Sequence, residues 1–219
     1  VLPSLILDLD GTLIDSLPGI ANSLNRTLEA HDLPTHPQAA VRTFIGNGIE
    51  MLIKRGAPGD TSPDVIESLV TKFKADYQMT WIEGTKPYPA IAHLLKDLQK
   101  DGYQLSVLSN KVHHFTQTIV RELFPLIHFT CVIGQEDGKH HKPHPAGALK
   151  IASAMGSAPD QCVLIGDSTI DLETAANAEM PSIAVTWGYH DRDRLQAANP
   201  TQLIDQPADL ISTLKKMQE

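Results

Sequence analysis

The sequence predicts an α/β protein: a doubly wound parallel sheet carrying an all-helical domain inserted after the first strand. Three observations point there. Five short apolar, β-branched runs (Leu5–Leu9, Leu105–Leu108, Thr130–Ile133, Val163–Ile165 and Ser182–Val185) recur, the first four closing on Gly, Ser or Asp, and each leads into a helical pattern. Continuous apolar strands alternating with amphipathic helices indicate a sheet covered on both faces. One interval, from about Ser16 to Trp81, has helical spacing and no convincing strand. Finally, 219 residues suit one good-sized domain, or one domain with a smaller companion, at roughly 100–200 residues per domain. A chain of this length buries a core without disulfide or zinc staples.

Taken in order, Leu5–Leu9 is the first strand. In the insertion, Ile20, Leu24 and Leu28 form one apolar stripe, Ile49, Leu52 and Ile53 a second, and Val65, Ile66, Leu69, Val70, Phe73 and Tyr77 a third. Pro34, Pro37, Gly46, Gly48, Gly56, Pro58 and Gly59 punctuate the gaps. Ser62-Pro63-Asp64 is a helix start, with a capping hydroxyl, proline at the first helical position and then an acid. An interval so long is too large for a loop. It is expected to be a helical cap over residues 16–83, placed over the strand ends of a core formed by 1–15 and 84–219. Helices in the core are expected at Ile91 to Leu98, Phe115 to Leu123, Pro145 to Met155 and Ile170 to Ala178. No internal repeat or low-complexity segment appears.

Composition narrows the function classes. Eighteen basic against 26 acidic side chains leave a net charge of −8. Sequence-independent binding to nucleic acid or to an anionic membrane needs a basic footprint, so neither partner is expected. No run approaches the roughly 18–20 apolar residues that span a bilayer. Val1-Leu2-Pro3-Ser4 shows neither the basic region nor the cleavage site of a signal peptide. Cys131 and Cys162 sit in apolar runs and read as buried reduced thiols, and a reducing cytoplasm is the expected location.

Ligands of a parallel sheet bind beyond the carboxyl ends of its strands, so the residues that end each strand are the candidates. The first strand ends in Asp8-Leu9-Asp10-Gly11-Thr12. Side chains alternate along a strand, which puts Asp8 and Asp10 on one side. The second strand ends in Ser109-Asn110, and the fourth in Gly166-Asp167-Ser168, with Asp171 one helical turn on. Carboxylates that close require compensation. Oxygen donors without His or Cys favour a hard cation, and Mg²⁺, which leaves room for a substrate phosphate, fits best. Such an ion locally reverses the sign an anionic substrate meets. Lys142, in the loop Lys139-His140-His141-Lys142-Pro143-His144-Pro145, offers an ammonium to a carboxylate and a phosphoryl group together, and Ser109 offers a hydroxyl. Asp171 also fits a purely structural place, as the acid three positions after a capping Ser168. Gly46-Asn47-Gly48 ahead of an amphipathic helix is either an ordinary helix start or a set of free N–H groups for a substrate carboxylate. Arg42 is a weaker candidate for the same job.

Four motifs in this order, Asp8-Leu-Asp10-Gly11-Thr12, Ser109-Asn110-Lys111, Lys142-Pro143-His144-Pro145 and Gly166-Asp167-Ser168-Thr169-Ile170-Asp171, resemble the haloacid dehalogenase superfamily of phosphohydrolases along essentially the whole chain. Asp15-Ser16-Leu17-Pro18-Gly19, Arg42-Thr-Phe-Ile-Gly46-Asn47-Gly48 and Gly188-Tyr189 are similar to its phosphoglycolate phosphatase branch. The resemblance implies a Rossmann-like core of haloacid dehalogenase type and a set of roles. Asp8 is the nucleophile, forming an aspartyl-phosphate while binding Mg²⁺. Asp10 is the acid for the leaving alkoxide and then the base for water, its backbone carbonyl binding the metal. Asp167 is a metal ligand assisted by Asp171, Ser109 and Lys142 hold the phosphoryl group, and Asn110 is a further substrate-binding candidate. The acid at Asp10, which the name-giving dehalogenases lack, favours phosphatase. The expected substrate is a small phosphorylated metabolite, 2-phosphoglycolate first, with Gly46 and Asn47 selecting it from the cap. A sugar phosphate, nucleotide or pyrophosphate is the nearest alternative. A phosphomutase, and outside enzymes a phospho-accepting signalling module, stand further off. Either a monomer or a homodimer is compatible with the sequence.

Overall fold

Apolar β-branched runs need both faces covered, and in the computed structural model of this chain, which describes residues 2–218, the five runs and a sixth strand form one six-stranded sheet. Its strands are β1 (Ser4–Leu7), β2 (Leu105–Val112), β3 (Cys131–Gln135), β4 (Cys162–Gly166), β5 (Ser182–Val185) and β6 (Gln202–Ile204). They lie in the order β3-β2-β1-β4-β5-β6, and every pairing is parallel. Leu5 and Leu7 of β1 stand opposite Leu105 and Val107 on one side, and opposite Val163 and Ile165 on the other. The order reverses at β1, so the crevice beyond the ends of β2, β1 and β4 is the topological switch point, where ligands of such sheets bind.

By contact density the chain divides into two units, one made of the segment up to Leu13 with the segment from Pro87 onward, the other Ile14–Lys86. The second unit is helical: α1 (Leu17–Glu29), α2 (Gln38–Arg42), α3 (Gly48–Gly56) and α4 (Pro63–Thr80). Ile20, Leu24 and Leu28 of α1 and Leu69, Phe73 and Tyr77 of α4 are buried, and the Phe73 and Tyr77 rings stack at 5.5 Å. Arg26 of α1 reaches Asp76 of α4 at 2.7 Å, one end of the guanidinium also bonding Thr80. The α4 stripe is narrower than its sequence suggests: Val65 is exposed and Ile66 and Val70 only half-buried, because the first two turns leave the packed face. Ser62 does stand at the N-cap of α4 with Pro63 next, but its hydroxyl makes no capping bond.

In the first unit the sheet is covered by α5 (Ile91–Lys100), α6 (His113–Leu123), α7 (Ala146–Ala154), α8 (Thr169–Asn177), α9 (Arg192–Ala197) and α10 (Asp209–Lys216). Ile6, Leu108 and Leu164 of the three central strands pack with Ala148, Ile151, Ala152 and Met155 beneath α7. Burying side chains of the Leu and Ile kind contributes about 1.5–3 kcal/mol each, so this layer holds the strand ends in fixed register. Strand β6 escapes the sequence pattern because only Ile204 of its three residues is buried. Both cysteines are free, Cys162 buried and Cys131 half-buried. Among the described residues no helix is long and apolar enough to cross a membrane.

Candidate active site

The ladder of β1 stops at Leu7, two residues before the apolar run ends. The Asp8 N–H still donates to the Ile165 carbonyl at 2.9 Å, after which the N–H groups of Thr12 and Leu13 turn back to the Leu9 carbonyl. Gly11, at φ +85°, makes that turn, a conformation that costs glycine nothing. The regular strand ends at Leu7, so Asp8 and Asp10 stand on the segment that leaves it and not within the ladder itself. Each of the two carboxylates meets an ammonium of its own: Asp8 lies 2.8 Å from Lys142 Nζ, and Asp10 lies 2.8 Å from Lys111 Nζ.

Lys142 is 3% exposed, and its Nζ also lies 2.6 Å from Asp171 Oδ1. Its backbone is held by Asn110, whose amide donates to the Lys142 carbonyl and accepts from the Lys142 N–H, each at 2.9 Å. Both ends of the Asn110 side chain thus fix the lysine loop, in which the Lys142–Pro143 peptide is cis. Asp171 is fully buried and completes a capping box: Ser168 N–H and Oγ donate to its Oδ2 at 3.0 and 2.6 Å, and its own N–H returns to Ser168 Oγ. The capping place and the electrostatic place are one, since the same carboxylate starts α8 and faces Lys142.

Asp167, 1% exposed, accepts from the Thr12 hydroxyl at 3.2 Å and from the Tyr189 N–H at 2.6 Å. Two glycines make room for it. A Cβ on Gly11 would lie 2.2 Å from Asp167 Oδ2, and one on Gly188 would lie 2.3 Å from both Asp167 Cβ and the Gly11 carbonyl oxygen. Gly188→Ala is therefore expected to cost about 1–3 kcal/mol, the usual cost of forcing atoms into a filled site, measured as a lower midpoint in thermal unfolding. Ser109 is buried, and its Oγ accepts from the Lys111 N–H at 3.1 Å.

Asp8, Asp167 and Asp171 each bring a carboxylate oxygen within 4.8 Å of the others. Burial, with the Asp171 charge beside it, pushes the Asp8 carboxyl from 3.8 up to about 7, against the pull of Lys142. Burial and the carboxylates of Asp171 and Asp8 likewise hold Asp167 well above the ordinary range, opposed by the Tyr189 N–H. Burial disfavours the Lys142 charge, but Asp171 and Asp8 outweigh it and raise that ammonium above the usual lysine value. One ammonium facing three buried carboxylates leaves negative charge uncompensated, and the donors are all oxygen. A divalent hard cation fits that deficit and that donor set.

Seven of the residues singled out in the sequence (Asp8, Asp10, Ser109, Asn110, Lys142, Asp167 and Asp171) thus belong to the sheet unit, at or just beyond the ends of β1, β2 and β4 or on the loop clamped to them. Gly46 and Asn47 belong to the helical unit, where Gly46 has φ +123° and Asn47, the N-cap of α3, accepts from Arg55 Nη2 at 2.8 Å. Lys111, Thr12 and Tyr189 lie inside motifs of the sequence, but no local signal marks them as partners of the carboxylates.

The model of one protein family, described as haloacid dehalogenase-like hydrolase, matches residues 5–185. The chain belongs to the haloacid dehalogenase-like hydrolases. Within that family it is similar to a phosphoglycolate phosphatase of Nitrosococcus oceani, 31% identical over 216 residues that cover 97% of this chain and 96% of the relative. A phosphoglycolate phosphatase of Escherichia coli is 33% identical over 227 residues, covering 94% of this chain and 90% of its own. Among solved structures, a predicted phosphoglycolate phosphatase from Haemophilus somnus superposes with a TM-score of 0.90 at 28% identity, over 100% of this chain and 98% of that one. In this hydrolase the carboxylates stand at the switch point of the sheet, where ligands of parallel sheets bind.

Proposed function

We propose that this hydrolase is a Mg²⁺-dependent phosphatase of a small phosphomonoester, 2-phosphoglycolate in the first place, acting in a reducing cytoplasm. The observation that carries the reading is the buried Asp8–Lys142–Asp171 chain at the end of β1, with Asp10 two residues on. Relatives bearing the name phosphoglycolate phosphatase, at 30–33% identity over at least 94% of the chain, support the choice of substrate.

Asp8 attacks phosphorus, forming an aspartyl-phosphate as the bond from phosphorus to the leaving oxygen breaks. Asp10 gives that oxygen its proton. The Asp10 carboxylate then takes a proton from water as the water oxygen bonds to phosphorus and the Asp8–phosphorus bond breaks, releasing phosphate. Splitting one displacement into two is what a carboxylate nucleophile contributes. Lys142 and Ser109 hold the phosphoryl oxygens, and Asn110 holds Lys142 in place. The carboxylates of Asp8 and Asp167 and the Asp10 carbonyl would hold Mg²⁺, with Asp171 behind them. Bound there, the ion supplies positive charge for the phosphate oxygens and for the two carboxylates.

Gly46 and Asn47 are assigned to selection of the leaving group. The test is kcat/KM with Mg²⁺ across 2-phosphoglycolate, sugar phosphates, nucleoside monophosphates and pyrophosphate. The expected result is a preference for 2-phosphoglycolate of about tenfold or more, the discrimination that about 1.4 kcal/mol of differential binding provides. A sugar phosphate hydrolysed faster would transfer the substrate assignment and leave the residue roles standing.

A further inference from the structure

We propose that Lys111 is a positioning residue for Asp10, holding in one orientation the carboxyl that serves the leaving oxygen. The proposal rests on the reading of Asp10 as proton donor. Lys111 Nζ lies 2.8 Å from one oxygen of Asp10 and 3.0 Å from the other, so a single ammonium spans the carboxylate. The pair is largely withdrawn from water, the side chains being 7% and 12% exposed. An ion pair on the surface is worth little and wanders. A desolvated one bridging both oxygens restricts the carboxylate's rotation; when Asp10 takes up the proton it donates, one oxygen carries that proton and the other keeps the ammonium, and orientation settled before reaction lowers the barrier.

The backbone that aims Lys111 is irregular in a way that serves this contact. Along β2 and β3 the register runs Leu108 opposite Ile133 and then Val112 opposite Gln135. Three residues, Ser109, Asn110 and Lys111, therefore stand against the single Gly134. A bulge of this kind re-aims side chains at a strand end. Here the three turn to different work: Ser109 is buried with its Oγ on the Lys111 N–H, Asn110 grips Lys142, and Lys111 reaches Asp10. The first turn of α6 secures the bulge, because the Thr116 hydroxyl lies 3.1 Å from both the Lys111 and Val112 carbonyl oxygens. Gly134 lets it close: a Cβ there would lie 2.5 Å from the Lys111 carbonyl oxygen and 2.5 Å from Thr116 Oγ1. Neither apolar periodicity nor capping requires a cation at position 111, whereas Asp10 does.

The test compares wild type, Asp10→Asn, Lys111→Met and the double variant. Each is assayed for kcat/KM on the best alkyl phosphate and on 2,4-dinitrophenyl phosphate, whose leaving group departs as a stable anion without a proton. The ratio kcat/KM reports steps up to alcohol release, so the later hydrolysis of the phosphoenzyme does not enter. Lys111→Met is expected to lower the alkyl value by about 10- to 100-fold and the dinitrophenyl value by less than about threefold, as expected of a group that acts through the proton donor. The double variant should be no slower than Asp10→Asn, the non-additivity of two residues acting as one. Lys111→Arg, which keeps the charge, should recover part of the loss. Equal losses on both substrates, or losses that multiply in the double variant, overturn the proposal. Should Asp10→Asn match wild type on the alkyl phosphate, the reading of Asp10 itself fails. If Lys111→Met does not fold, Lys111→Gln gives the same comparison.

Discussion

Replacing Asp8 by asparagine is expected to lower phosphate release by a factor on the order of 10⁴ or more, the scale on which removal of a covalent nucleophile is felt. The amide retains shape but has no charge with which to displace an alkoxide, so no acid-stable phosphoprotein should accumulate on denaturing quench. The loss should come without unfolding. Burial and Asp171 already oppose the Asp8 charge strongly enough to place its pKa at about 7. A neutral side chain removes that opposition, and metal-free Asp8→Asn should melt no lower than wild type at pH 8. The pairing of a dead enzyme with an intact fold separates a chemical role from a structural one. An Asp8→Asn protein with ordinary Mg²⁺-dependent turnover would sink the nucleophile assignment and the covalent mechanism with it.

Local chemistry makes much of this site legible in the sequence. An aspartate at the end of an apolar strand and a glycine that ends the strand are properties of neighbouring residues, and so is an acid three positions after a serine. Those signals single out Asp8, Asp167 and Asp171, whose carboxylate oxygens lie within 4.8 Å of one another, and the capping box stands where the spacing puts it. Lys111 and Asp10 are 101 positions apart, and their pairing depends on a register slip between β2 and β3 that periodicity cannot register. The same holds for the two-ended grip of Asn110 on Lys142, 32 positions away. Asn110, a candidate for binding the substrate, gives both ends of its side-chain amide to the lysine backbone, a contact that no local pattern announces. Gly188 stands out in the sequence only as part of the Gly188-Tyr189 motif, and only the packed strand ends reveal that Asp167 occupies the space a side chain would take.

Lys142→Met is expected to be the most destabilising single change at the site, and pH should set how much. Lys142 faces Asp8 and Asp171 from a position 3% exposed. Removing one partner of such a buried pair typically costs about 3–5 kcal/mol, because the other charge is left unpaired. In the metal-free wild type, the carboxyls of Asp8 and Asp167 already lie above their unfolded value of 3.8. A raised carboxyl makes the folded state bind more protons than the unfolded one, so stability is highest below about pH 4 and falls as pH rises, for Asp8 through about 7. Loss of the ammonium moves both groups higher, which deepens the fall and extends it to more alkaline pH. The variant should therefore lie closest to wild type near pH 4–5, where a carboxyl can stay protonated, and furthest below it at pH 8. Mg²⁺ added at pH 8 should raise the melting temperature of both proteins, by more than it does at pH 5, since protons compete with the cation for the same oxygens. Calorimetric melts at the two pH values, with Mg²⁺ and with chelator, measure all four quantities. A deficit that is the same at pH 5 and pH 8 would mean that Lys142 contributes packing and not charge, and its assignment to the phosphoryl group would lose its electrostatic basis.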